Sequence, residues 1–271
     1  MKLKVYGCRG SAAFSRNSHY GGNTSCMRLT YDGGMILLDA GSGIMKLDAE
    51  LREEYPGYPK NLPFSPNILI SHLHLDHIIG LPSFAPVSDE DAGVRIFTCS
   101  RSDKPIKEQV FGAFLPPYWP VHMSAVAFAE CIPVVGTFKI DHKITVTPFA
   151  ANHPDTTQSF HITDGTKTVV HLLDHEMLPQ DETDVLYEHC RHADVVVFDA
   201  AYLLRDYPAK HGWGHSTVQE GIRLAEKCGC KKMVFAHFGQ EYSDADLNGL
   251  NDLFAQDDRF VLAYEGLEIE V

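Results

Sequence analysis

Short apolar runs recur along the whole chain, and most of them are about five residues long. Runs of this length, rich in Val, Ile, Leu and Phe and bounded by Gly, Pro, Asn or Asp, are typical of β-strands. We therefore predict strands over residues 3–7, 27–31, 35–39, 67–71, 95–99, 143–149, 159–163, 168–173, 195–199, 232–237 and 260–264.

The polar segments between these runs predict how the strands connect. Tyr31-Asp-Gly-Gly34 is typical of a hairpin turn. A helix is predicted over Val218–Cys228, because Thr217 and Glu220 form a capping-box pattern and Gly229 follows as a stop signal. Strands dominate and helices are expected mostly in the second half. This order favours an α/β fold with four layers, an αββα sandwich, over a doubly wound sheet.

The amino-acid composition is typical of a single globular domain. The 271 residues are 44% hydrophobic and 22% charged, and the chain has no Gly/Ser-rich linker and no apolar stretch approaching 18 residues. We therefore expect a single domain over 1–271 that is cytoplasmic and has no membrane association. The seven cysteines are odd in number and scattered along the chain, which is typical of reduced thiols in a reducing compartment. Cys228 and Cys230 lack the spacing of a zinc knuckle and are interpreted as structural.

The formal net charge of −13 narrows the substrate class. Proteins that grip a long polyanion carry basic faces for its phosphates, and this sequence has no run of Lys or Arg of that kind. The charge balance therefore favours a small-molecule substrate and makes a nucleic-acid partner less expected.

The strongest chemical signal is Ser71-His-Leu-His-Leu-Asp-His77, directly after an apolar run. In an extended segment His72 and His74 point the same way, while Asp76 and His77 lie where the chain can turn towards a second ion. Imidazole and carboxylate ligands suit zinc, manganese or iron. The alternative is a solvated histidine-rich loop. Burying four polar groups without partners would be costly, so we interpret the string as a metal-binding loop.

Such a site needs ligands from elsewhere in the chain. His153, Asp174 and His237 each follow an apolar run, where sheet folds place functional side chains. Taken singly, each is more often an ordinary strand-end residue. The His/Asp string makes all three candidate ligands.

With these residues in this order, and with Asp39 in LLDAG, the sequence resembles the metallo-β-lactamase superfamily over nearly its whole length. The resemblance implies an αββα metallo-β-lactamase sandwich with two divalent metal ions. It implies that Asp39 braces the metal-binding loop. Asp174 would bridge the two ions. The implied ligands are His72, His74 and His153 for one ion and Asp76, His77 and His237 for the other.

The segment Gly212-Trp-Gly-His-Ser-Thr217 is similar to the branch that contains ribonuclease Z and small cyclic-nucleotide phosphodiesterases. His215 precedes a predicted helix N-terminus, which favours an anionic phosphate. Asp199 matches the acidic residue that pairs with this histidine in the branch, and such a pair would keep the ring protonated. Ser216 and Thr217 could equally be plain helix caps, with His215 a surface residue.

These features together imply hydrolysis of a phosphodiester by a metal-bridged hydroxide. Asp76 would orient the hydroxide, and His215, held by Asp199, would protonate the leaving group. Zinc is the first choice of metal, with manganese or iron as alternatives. Three departures point to a small, cyclic nucleotide-like diester: a basic RNA-gripping arm is missing, no Arg follows His237, and His175-Glu176 replaces the usual Thr after Asp174.

Several alternatives remain open. The chain could be a transfer-RNA 3′-processing endoribonuclease, a lactone or thioester hydrolase of the same fold, or a non-catalytic metal-binding protein. The aromatic segment 111–123 could be a lid or a substrate wall, or a contact of a homodimer, which relatives often form. Gly21–Ser25 could approach the site or merely connect strands. His175 could lie near the metals by adjacency, and the other histidines are interpreted as structural.

Overall fold

The computed structural model describes residues 1–15, 18–178, 184–254 and 257–271. These residues form fourteen strands in two sheets of seven. The strands are β1 Lys2–Gly7, β2 Cys26–Tyr31, β3 Gly34–Leu38, β4 Asn67–Leu69, β5 Arg95–Thr98, β6 Glu130–Pro133, β7 Phe138–Ile140, β8 Ile144–Ala150, β9 Gln158–Thr163, β10 Thr168–Leu172, β11 Val195–Asp199, β12 Met233–Ala236, β13 Phe260–Leu262 and β14 Glu268–Glu270.

Both sheets are mixed. The first runs β14-β1-β2-β3-β4-β5-β6, antiparallel as far as β3 and parallel from β3 to β6. The second runs β13-β12-β11-β10-β9-β8-β7, parallel as far as β10 and antiparallel beyond it. Parallel neighbours end at the same edge of a sheet. The loops after β3, β4, β10, β11 and β12 can therefore meet at one place.

The described residues also form eight α-helices, which lie between the strands in the sequence. They are α1 Ile44–Glu54, α2 Leu75–Ile78, α3 Ile106–Phe111, α4 Met123–Val126, α5 Asp184–Cys190, α6 Tyr207–Lys210, α7 Val218–Cys228 and α8 Asp244–Asn248. One apolar core joins the two sheets and includes Leu29, Val146 and Phe235. A second packs α1 against the first sheet through Leu47 and Ile68. The result is a four-layer αββα sandwich, as the sequence predicts.

The distribution of helices corrects one expectation. Helices were expected mostly in the second half, yet four of the eight described α-helices, α1 to α4, end before residue 127. The N-cap residue of α1, Gly43, makes no side-chain cap hydrogen bond, and α2 and α4 are only four residues long. Such helices leave little local signal. The strands β6, β7 and β14 were not predicted because most of their residues are exposed or half-buried, so they do not form a continuous apolar run.

The strongest local signals are confirmed. Strands β2 and β3 pair as a hairpin around Asp32-Gly33. Helix α7 spans the predicted residues, with both capping-box contacts between Thr217 and Glu220 and with Gly229 at φ 64°. Within the described ranges, every helix is too short or too polar to cross a bilayer.

Candidate metal centre

Strands from both sheets end at one edge of the sandwich, and the chain turns sharply within two residues of each strand end. Asp39 after β3, Asp174 after β10 and His237 after β12 have φ of 59°, 52° and 66°. A non-glycine residue in this left-handed region is strained by about 1–3 kcal/mol, and such residues cluster at functional sites. The turns carry the three side chains out of their strands and into the space between the sheets.

The predicted ligands form two groups. In each group the ligand atoms lie within 4.8 Å of one another, one group being His72, His74 and His153 and the other Asp76, His77 and His237. In the first, the His153 Nε2 atom is 3.4 Å from Nδ1 of His74. In the second, the Nε2 atoms of His77 and His237 are 3.2 Å apart.

Asp174 lies between the two groups. Its Oδ1 atom is 3.7 Å from Nε2 of His72 and 4.0 Å from Nε2 of His153. Its Oδ2 atom is 3.1 Å from Nε2 of His77 and 3.3 Å from Nε2 of His237. One oxygen of Asp174 therefore faces each group.

The arrangement fits divalent cations. Neither carboxylate oxygen of Asp174, nor Nε2 of His72, meets a hydrogen-bond partner among the described residues, although all three atoms are buried. Burial lowers the pKa of His72 to about 2, which leaves the ring neutral and able to ligate. Burial also opposes the charged form of His237, but Asp174 and Asp76 outweigh it and raise its pKa to about 9. The carboxylates of this pocket therefore favour a positive charge among them, which a divalent cation would supply.

Asp39 braces the metal-binding loop from behind. Its Oδ2 accepts a 2.8 Å hydrogen bond from Nδ1 of His77, and its Oδ1 accepts the backbone N–H of Ser71 at 2.8 Å. The first contact fixes the tautomer of His77 and leaves Nε2 for the site. Ser25 donates to Oδ2 at 3.2 Å, so the Gly21–Ser25 segment reaches the site through this carboxylate. His171, which the sequence predicts to be structural, lies 3.6 Å from the same oxygen through its Nε2 atom.

Two residues near the N-terminus also reach the cluster. The backbone N–H of Ser11 donates to Asp76 Oδ2 at 2.8 Å. A Cβ atom at Gly10 would lie 2.6 Å from the ring of His237, so only glycine fits there. Neither contact could be predicted from local sequence, because both join residues far apart in the chain.

His215 and Asp199 form the predicted pair. His215 donates from Nδ1 to Asp199 Oδ2 at 2.8 Å, and its ring stacks on His237 with centroids 5.0 Å apart. Asp199 is fixed in turn by the backbone N–H of Ala201 at 2.9 Å. Burial lowers the pKa of His215, but Asp199 and then Asp174 outweigh it and raise the pKa above its ordinary value. The pair can therefore hold a proton beside the cluster.

A cavity of about 340 Å³ opens onto the histidines. Its wall beyond His215 is formed by Tyr202, Lys210, Trp213 and Glu241, none of which was predicted. The Trp213 side chain is 61% exposed, and Lys210 forms an ion pair with Glu241. The cavity therefore combines an open aromatic surface with paired charges next to the proposed proton donor.

Two predicted candidates lie elsewhere. The aromatic segment 111–123 contributes no residue to the lining of this cavity, and its Tyr118 is 85% exposed. The segment therefore forms no part of this cavity wall, and its roles as a lid or as a dimer contact stay predictions. His175 is buried behind the site, where its Nδ1 accepts the backbone N–H of Asn152 at 2.9 Å. It is in none of the ligand groups found among the described residues.

Comparison with known families decides the class. The beta-lactamase superfamily domain matches residues 35–238, more than half of the chain. The chain belongs to the beta-lactamase superfamily. It is a metal-dependent hydrolase of that superfamily, and its His/Asp cluster is suited to divalent metal ions.

Several known proteins resemble the chain over most of its length. Ribonuclease Z of Haloarcula marismortui is 21% identical, and the match covers 92% of this chain and 91% of that protein. The metallo-beta-lactamase fold protein YhfI from Bacillus subtilis superposes with a TM-score of 0.73 at 20% identity, covering 100% and 99% of the two chains. A diphosphatase from the PhnP family has a TM-score of 0.71 at 19% identity, covering 100% and 97%.

Proposed function

We propose that this hydrolase binds two divalent cations and cleaves a small phosphodiester. His72, His74 and His153 would hold one cation, and Asp76, His77 and His237 the other. Asp174 would ligate both, and zinc is the preferred metal, with manganese or iron as alternatives. The observation that carries the proposal is the position of Asp174, with one oxygen facing each histidine group.

Bound divalent cations would lower the pKa of water and polarise phosphate oxygens. The protein's own groups would supply the rest of the chemistry. Asp76 would orient the attacking water, since its Oδ2 is fixed by the Ser11 N–H. His215 would donate a proton to the leaving alkoxide, with Asp199 holding the ring in the required tautomer. A protonated imidazole beside the cations suits an anionic phosphate group.

The cavity and the charge support a small, cyclic nucleotide-like substrate. A volume of about 340 Å³ suits one nucleotide, and the exposed face of Trp213 could stack on a base. The net charge of −13 opposes tight binding of a long RNA. Transfer-RNA 3′ processing remains the second candidate, because the curated relatives include proteins named Ribonuclease Z.

The domain extent and the cellular compartment are also proposed, each on a single kind of observation. We propose one hydrolase domain over residues 1–271, acting in the cytoplasm, where seven free cysteines would stay reduced. A homodimer remains an expectation from the resemblance.

The reaction class can be tested on protein stripped with a chelator and reloaded with zinc or manganese. Turnover of bis-p-nitrophenyl phosphate would be compared with turnover of a lactone and a thioester. We expect diester hydrolysis that depends on metal and saturates at two ions per chain. Hydrolysis of only the lactone or thioester would refute the proposed chemistry, and saturation at one ion would refute the dinuclear site.

The substrate class can be tested with the same protein. The panel would contain 3′,5′- and 2′,3′-cyclic nucleotides, phosphoribosyl cyclic phosphate and a precursor transfer RNA. We expect kcat/KM to be highest for one of the cyclic diesters. Efficient cleavage of the precursor RNA, with none of the cyclic diesters turned over, would favour the second candidate.

A further inference from the structure

Glu176 is a buried acid two residues after Asp174, with only 2% of its surface exposed. Its carboxylate faces the loop that carries His215. Backbone N–H groups of Gly212 and Gly214 donate to Oε2 at 3.0 and 2.9 Å, and Gly212 also reaches Oε1 at 2.8 Å. The Tyr207 hydroxyl donates to Oε1 at 3.0 Å. One side chain thus accepts hydrogen bonds from two backbone N–H groups of this loop and from a tyrosine of α6, the helix just before it.

The loop needs such an anchor because its backbone is unusual. Gly212 and Gly214 have φ of 87° and 88°, a region that favours glycine. A Cβ atom at Gly214 would lie 2.3 Å from Nδ1 of His153, so the loop packs directly against a predicted ligand. Glycine gives the loop access to this shape, and the carboxylate holds it there.

The anchored loop acts on two residues of the site. The Gly214 carbonyl oxygen accepts a hydrogen bond from Nδ1 of His153 at 3.0 Å. A carbonyl oxygen can only accept, so His153 carries its proton on Nδ1 and presents Nε2 to the cluster. The residue after Gly214 is His215, whose ring must meet both Asp199 and the substrate. A shift of the loop would therefore disturb a ligand and the proton donor together.

We propose that Glu176 is a positioning residue that sets His153 and His215 through the backbone of residues 212–214. The proposal rests on the proposed phosphodiester chemistry for the role of His215. Its effect on His153 is independent of the substrate. The rival explanation is a carboxylate that merely stabilises the fold.

The test is Glu176→Gln, which keeps the size of the side chain but replaces one acceptor oxygen with an N–H donor facing N–H groups. Asp194→Asn is the matched control. Asp194 is also buried and accepts the backbone N–H of Thr168 at 2.9 Å, but it lies at the opposite end of β10 from Asp174. Tyr207→Phe is a milder second variant, which removes one hydrogen-bond donor to Glu176. It keeps the proposal testable if the Gln variant fails to fold.

Two readouts separate positioning from general stability. The first is the ratio of kcat for a cyclic nucleotide, with an alkoxide leaving group, to kcat for bis-p-nitrophenyl phosphate, whose leaving group needs little protonation. General acid help is worth about 10²–10⁴-fold, so we expect the ratio to fall at least about tenfold in Glu176→Gln. The second is zinc affinity by chelator competition, expected to weaken by about 10-fold or more.

We expect Asp194→Asn to leave both readouts within about twofold of the wild-type values, and Tyr207→Phe to shift them in the same direction as Glu176→Gln but less. Unchanged readouts in both Glu176→Gln and Tyr207→Phe would overturn the proposal, as would equal changes in Asp194→Asn. If the wild type cleaves no phosphodiester, the proposed function fails, and zinc affinity alone still decides the role of Glu176.

Discussion

The chemistry of single residues at this site depends on which charges surround each buried ring. His72 and His237 are both buried, yet the pKa of His72 falls to about 2 while that of His237 rises to about 9. The difference arises because two carboxylates lie close to His237, with oxygens of Asp76 and Asp174 each 3.3 Å from its Nε2. The Asp174 oxygen near His72 is 3.7 Å from its Nε2. Residue type alone therefore does not set protonation here.

The same reasoning predicts the effect of Asp199→Asn. Asp199 raises the pKa of His215 against its burial, so the protonated acid persists to higher pH in the wild type. Without the carboxylate, burial dominates and the acid is lost at lower pH. We expect the alkaline limb of the kcat profile to move to lower pH. We also expect kcat for a cyclic nucleotide to fall by about 10²–10⁴-fold.

Measuring the full pH–rate profile with two substrates checks this expectation. The loss should be much smaller with bis-p-nitrophenyl phosphate, because its leaving group departs readily without a proton. Metal content must be measured in parallel, since Asp199 Oδ2 also lies 3.9 Å from Nδ1 of His237. An unmoved alkaline limb with full metal content would exclude His215 as the acid.

Helix α7 illustrates how a secondary-structure element limits the movement of a nearby side chain, here that of the proposed proton donor His215. Its first turn is closed by Thr217, whose backbone N–H and hydroxyl donate to Glu220 Oε2 at 2.8 and 3.0 Å. His215 lies just two residues before this cap. The start of the helix therefore limits how far the histidine can move.

We expect Thr217→Ala to lower the free energy of unfolding by about 1 kcal/mol, because it removes the side-chain cap. In a chain of this size that corresponds to a fall in Tm of roughly 2–4 °C. A severalfold fall in kcat should accompany it, since the loop before the cap loosens. Thermal unfolding and steady-state kinetics on the same preparation measure both effects.

Ser243→Ala supplies the comparison. Ser243 closes a capping box at α8, where its side chain accepts the N–H of Asp246. The Ser243→Ala variant should show a similar fall in the free energy of unfolding and an unchanged kcat. Equal loss of activity in the two variants would show that capping acts on the whole fold and not on His215.

At the level of the whole molecule, the metal centre lies between the two sheets and joins them. In the first sheet, the loop after β4 carries candidate ligands, and Asp39 after β3 hydrogen-bonds to one of them. In the second sheet, candidate ligands follow β10 and β12. Asp39, Asp174 and the ring of His77 are almost wholly buried there. Bound cations would therefore stabilise the contact between the layers as well as the reaction.

Removal of metal should consequently destabilise the fold. Ligand present at 1,000 times its Kd contributes about 4 kcal/mol, so chelation should lower Tm by roughly 10 °C. Added zinc should restore the loss. Differential scanning calorimetry of the wild type and of Asp174→Asn, each with and without chelator, measures the effect. A chelator-induced shift as large in Asp174→Asn as in the wild type would contradict the proposed bridging role of Asp174.

The sequence by itself determined the features that depend on near neighbours. The spacing of His72, His74, Asp76 and His77, the strand runs and the capped helix α7 are all encoded within a few residues, and the structure has them where they were predicted. Helix propensity, capping and alternation act over one or two turns of chain. Such features can therefore be recognised without a fold.

Only the tertiary structure decided which distant groups meet. The anchor formed by Glu176, the Gly214 carbonyl behind His153, the proximity of His171 to Asp39 and the exposed Trp213 all depend on strand order and loop shape. These contacts join residues separated by tens of positions. Their formation depends on packing across the sheets, which no local preference specifies.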